Sequence, residues 1–123
     1  MINVCFTRDG ENTRLQMTGH SDFKANGQLI VCSAVSAIFY TLLGYLKNTY
    51  KDKLTINSIE SGFADIECRD CDTEPFRMAC IGLLQISECF PGQISIQNKI
   101  WDSAFCKGNT AKKERIAYGR YNC

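Results

Sequence analysis

An α+β domain is predicted by three features of this 123-residue chain. Short runs alternate apolar with polar residues, two longer stretches carry apolar residues at helical spacing, and glycine-bearing turns separate them. The predicted order is β-β-α-β-β-α-β, a single domain with two helices packed on a mainly antiparallel sheet.

The elements follow in chain order. Ile2, Val4 and Phe6 alternate with Asn3, Cys5 and Thr7, the period-two pattern of a half-buried strand. Asp9-Gly10 is a hairpin turn signal, and Leu15 and Met17 continue the alternation on a second strand. Arg14, Gln16, Thr18 and His20 fall on that strand's opposite face. Residues 21–30 read as a loop with Asn26-Gly27 as its turn. From Cys32 the pattern becomes helical, with Val35, Ile38, Phe39, Leu42, Leu43 and Leu46 on one stripe. Lys47, Lys51 and Lys53 at or beyond its end suit the negative pole of the helix dipole. Two strands are expected near 54–59 and 63–68, separated by Ser61-Gly62. A second helix is expected from Asp72-Thr73-Glu74-Pro75, with Phe76, Ala79, Cys80, Leu83, Leu84 and Ser87 as its stripe. Pro91-Gly92 ends it, and residues 93–97 read as a last strand.

Composition narrows the class. Charges appear by position 8 and no apolar run precedes them, so the N-terminus is not expected to act as a signal peptide. The longest apolar stretch, Ala34 to Leu46, reads as too short and too interrupted to span a membrane. A cytoplasmic location is expected, and there thiols stay reduced. The eight cysteines then read as small core residues, metal ligands or a nucleophile rather than a disulfide framework. Cys68-Arg69-Asp70-Cys71 is a lone CxxC, and only Cys80 and Cys89 could complete a zinc site. Cys80 falls on the apolar stripe and reads as core, so no metal or other cofactor is expected, with redox use of the pair the other reading.

Charge divides the chain in two. Residues 1–97 hold 8 basic and 11 acidic side chains, a net of −3; residues 98–123 hold 6 and 2, a net of +4. The expected organisation is a domain over 1–97 and a basic, aromatic extension over 98–123, where Trp101, Phe105, Tyr118 and Tyr121 interleave with lysines and arginines. Such a segment can bind nucleic acid, but a net of +4 is modest and favours docking or a protein partner.

His20, the only histidine, stands twelve residues before Cys32. A cysteine at a helix start feels the positive dipole end, which favours the nucleophilic thiolate. A histidine beside it can take the thiol proton and return it to a leaving amine, and first-turn amides can bind an oxyanion. The small side chains of Ser33, Ala34, Ser36 and Ala37 leave room for another backbone to approach. The other reading of the same residues is a core thiol and a surface histidine.

The stretch Gly19-His20, a glycine-bearing loop, then Ile30-Val31-Cys32-Ser33-Ala34-Val35-Ser36-Ala37 resembles the ribosomal-processing cysteine protease (Prp) family. The resemblance covers residues 1–97 in element order. It implies a cytoplasmic, homodimeric cysteine endopeptidase that removes a short N-terminal extension from a large-subunit ribosomal protein, or processes a phage structural protein. By position, the family's histidine and nucleophile fall on His20 and Cys32, and its flexible loop on Ser21 to Val31. Asp22, Phe23, Gly27, Ser33 and Ser36 are the expected substrate-binding residues. Two departures stand out. Leu29 occupies the place of a family aspartate, leaving Asp22 as a carboxylate that could orient the histidine, and the segment from Asn98 has no family counterpart. Both departures favour the alternative of a non-catalytic relative that binds a ribosomal or viral structural protein.

Overall fold

The alternating N-terminal segment folds as a hairpin in the computed structural model, which describes residues 1–19 and 26–101, the side chains of 26–29 excepted. Strands β1 (Ile2–Asp9) and β2 (Asn12–Thr18) pair antiparallel, with Val4 opposite Met17 and Phe6 opposite Leu15. Gly10 takes the turn at φ 62, a conformation open to glycine. Helix α1 (Asn26–Thr49), strands β3 (Leu54–Glu60) and β4 (Phe63–Arg69), helix α2 (Glu74–Cys89) and strand β5 (Ile94–Asn98) follow, giving the β-β-α-β-β-α-β order.

The strands form one sheet in the order β3-β4-β2-β1-β5. All neighbours are antiparallel except β1 and β5, which run parallel. Because successive side chains on a strand alternate faces, Val4, Phe6, Leu15, Met17, Ile66 and Cys68 present one apolar surface, and all are buried. Both helices cover it, α1 through Val31, Val35, Phe39, Leu42, Leu43 and Leu46, and α2 through Phe76, Ala79, Cys80 and Leu83. Each fully buried Phe or Leu contributes about 1.5–3 kcal/mol through removal from water.

The opposite face of the sheet is polar and internally bonded. Arg14 grips Asp65 through two hydrogen bonds of 2.8 and 2.6 Å. Asn12 and Asn57 each donate to Glu67, at 2.5 and 2.6 Å. The Arg14 guanidinium holds the Asp65 carboxyl below its ordinary range, against the opposing effect of burial. The Asn57 and Asn12 amides do the same for Glu67.

Four sequence-based expectations need correction. Helix α1 begins at Asn26, six residues before Cys32, so Cys32 lies in its second turn rather than at its start. The expected loop 21–31 is therefore helical from 26 onward, and the rest of it lies outside the described residues. At 24 residues α1 is long and apolar enough to cross a bilayer; here its apolar stripe packs against the sheet. Finally, Cys68 and Cys71 are joined as a disulfide, not held as reduced thiols.

Candidate active site

Cys32, Ser36 and Tyr40 recur every four residues on α1 and so form a row on one side of the helix. That row, with Phe39, makes one wall of a cleft of about 430 Å³. The turn joining β3 to β4, from Glu60 through Ser61 and Gly62 to Phe63, makes the facing wall, and Ile2, Met17 and Ala64 lie beneath. Cys32 is a free, half-buried thiol, covered by the helix yet open to the cleft.

Gly19 also lines the cleft. Its N–H donates to the Gly62 carbonyl at 2.8 Å, tying the end of β2 to the β3–β4 turn. At φ 93 it sits in the left-handed region, and an added Cβ would collide with the Met1 carbonyl. Only glycine fits there, which gives the first residue of the Gly19-His20 motif a backbone reason. His20 is the next residue in the chain and lies outside the described residues, as do Asp22 and Phe23. Gly27 lies in the first turn of α1. Ser33 is exposed and does not line the cleft, whereas Ser36 does.

The early helix start changes the chemistry available to Cys32. The amides of residues 26–29 lie about 5–9 Å up the axis from its position, at 1.5 Å per residue. The oxyanion role that a helix-start cysteine would give them does not carry over. What the geometry offers is a thiol on the wall of a groove large enough for a few residues of a peptide, the usual size of a ligand site.

Sequence reasoning missed the facing wall. Glu60, Ser61, Gly62 and Phe63 reach the cleft because β2 pairs antiparallel with β4, setting Thr18 opposite Phe63. The Ser61-Gly62 turn signal was visible, but its closeness to Gly19 depends on a pairing between segments more than forty residues apart. Among the described residues, no group of three or more His, Cys, Asp or Glu is placed to hold a metal ion.

Residues 1–95 match the family model described as cysteine protease Prp. The fold is similar to that of the ribosomal processing protease Prp of Staphylococcus aureus, solved with a covalently linked product peptide, at 24% identity and a TM-score of 0.63. That comparison covers 80% of this chain and 100% of the other. The same protease with a substrate peptide matches at 23% identity and a TM-score of 0.62, with the same coverage. A Streptococcus mutans structure matches at 20% identity and a TM-score of 0.58, covering 80% of this chain and 93% of that one. No curated protein matches the sequence.

Proposed function

Because the chain belongs to the Prp family of cysteine proteases, we propose that it is a cysteine endopeptidase with Cys32 as nucleophile and His20 as general base and acid. The observation that carries this reading is the free Cys32 thiol on the wall of a peptide-sized cleft also lined by Gly19, the residue before His20 in the sequence. His20 takes the thiol proton, and Cys32 Sγ bonds to the scissile carbonyl carbon. The tetrahedral intermediate then collapses, the C–N bond breaks, and the proton passes from His20 to the leaving amine. Water, deprotonated by the same imidazole, hydrolyses the thioester and restores the thiol.

The substrate we propose is the N-terminal extension of a large-subunit ribosomal protein, with a phage structural protein as the second candidate. The enzyme would act in the cytoplasm as a homodimer. Supporting the substrate class are the family match over residues 1–95 and the fold shared with a protease solved with a substrate peptide. The test is cleavage of a peptide spanning such an extension. Cys32→Ala is expected to abolish product while leaving the thermal melt within a few degrees of wild type. His20→Ala is expected to lose at least a hundredfold at neutral pH, within the range typical of general-base catalysis. Part of that loss should return above about pH 8.5, where thiols ionise unaided. Binding of the peptide without cleavage by the wild-type protein would favour the non-catalytic relative.

A further inference from the structure

At the far end of β4 from the cleft, Cys68 and Cys71 form a disulfide that the protease reading does not use. We propose that this pair is a reversible redox site, exchanging electrons with low-molecular-weight thiols and their disulfides. Two sets of contacts bear on it, one favouring the bond and the other the thiols.

One set favours the bond. The intervening loop is held by its neighbours whatever the state of the sulfurs: Arg69 N–H donates to the Lys53 carbonyl at 3.0 Å, and Asp70 N–H to the Glu11 carbonyl at 2.9 Å. Asp70 takes φ 54, the left-handed conformation that turns the chain between the cysteines. On the far side Asp72 N–H donates to the Tyr50 hydroxyl at 3.3 Å. The Cα atoms are thereby kept 5.9 Å apart, the ordinary separation of a disulfide. Little freedom remains to be lost when the sulfurs join.

The other set favours the thiols. Cys71 Sγ lies 3.4 Å from the Arg69 carbonyl, to which a thiol can donate. Thr13 stands opposite Cys68 in the β2–β4 register, both side chains are fully buried, and the Thr13 hydroxyl has no hydrogen-bond partner among the described residues. Side chains directly opposite on one face have Cβ atoms about 4.5–5.5 Å apart. Once released from Cys71, Cys68 Sγ can turn to that hydroxyl and satisfy it. A ring of four residues also gains little from loop closure, so the open form is expected to stay folded.

Exchange starts at Cys71, the less buried residue of the pair at 5% exposure against 0% for Cys68. A thiolate RS⁻ attacks Cys71 Sγ, the Cys68–Cys71 bond breaks, and Cys68 leaves as a thiolate and takes a proton. A second thiolate attacks the outer sulfur of the mixed disulfide, releasing RSSR and Cys71, which is protonated in turn. Two electrons and two protons enter the pair, and closure by RSSR reverses each step.

The full chain is equilibrated in mixtures of reduced and oxidised glutathione, then alkylated and digested with trypsin. Cleavage after Arg69 separates the two cysteines, so the closed form appears as a linked pair of peptides. The linked fraction is expected to rise in a single transition across the series, with both forms folded in thermal melts. Thr13→Val removes the orphaned hydroxyl and is expected to shift the transition roughly fivefold toward the closed form, the worth of one buried unsatisfied group; Thr13→Ser should restore it. A pair that stays open, or stays closed, across the whole series overturns the proposal. So does a Thr13→Val protein that folds and titrates like wild type.

Discussion

Gly19 shows how one residue ties sequence motif, backbone geometry and site together. Its positive φ, its contact with Met1 and its bond to Gly62 all fix where the chain enters His20. A side chain at this conformation costs about 1–3 kcal/mol in backbone strain alone, and the collision with Met1 adds to it. Gly19→Ala is therefore expected to lower the melting temperature and to cut peptide cleavage by more than the stability loss explains. Activity measured well below the melting transition checks this, and a stable, fully active variant would contradict it. The spacing of Gly19-His20 and Cys32 was legible as a motif, and of its two chemical residues only Cys32 falls among the described ones. The surroundings of Cys32 were less legible. Asn26-Gly27 reads as a turn, yet both residues are helical; the apolar stripe itself extends back to Val31, four residues before Val35 and almost fully buried. The i−4 position of Val31 was the available signal.

Among the elements, period-two alternation and helical stripes were enough to recover every strand and helix to within a few residues at its C-terminal end. Strand order was not recoverable, since pairing β2 with β4 and β1 with β5 depends on contacts distant in sequence. That order also creates the polar lattice on the open face, where Arg14 on β2 meets Asp65 on β4. Asp65 is buried and its carboxyl is held below its ordinary value, chiefly by the Arg14 guanidinium. A carboxyl whose folded pKa is depressed stabilises the fold above its unfolded pKa and loses that contribution as pH falls through the folded value. Arg14→Ala leaves a buried carboxylate without its cation and is expected to cost roughly 2 kcal/mol at pH 7, the scale for a charged hydrogen-bond partner. The gap from wild type should hold from pH 7 down to about pH 4, the ordinary aspartate range, and narrow below it as Asp65 protonates in both proteins. Urea unfolding across that range measures it; a gap that widens on acidification would reverse the sign and refute the assignment.

For the molecule as a whole, the question is how much of the chain the fold needs. The family match ends at residue 95, and 80% of this chain covers the whole of the Staphylococcus aureus protease. The packed chain nevertheless continues past that point. Strand β5 runs to Asn98, Lys99 N–H donates to the Phe6 carbonyl at 2.9 Å, and the Asn98 side chain accepts from the Ile100 and Trp101 amides. Trp101 itself rests against Phe6, with ring centroids 5.7 Å apart. Two truncations separate these contributions. A chain ending at Trp101 keeps every contact just named and is expected to melt within a few degrees of the full protein. One ending at Gln97 loses the aromatic pair and the last residue of β5, and an aromatic pair is worth about 0.5–1.5 kcal/mol beyond the area it buries. It is expected to fold cooperatively but at a clearly lower temperature. Both should cleave the short peptide, because among the described residues none that lines the cleft lies beyond Ala64. If the chain ending at Trp101 instead aggregates or melts without cooperativity, the residues beyond it are part of the fold, and the basic extension is not an appendage to a domain that closes without it.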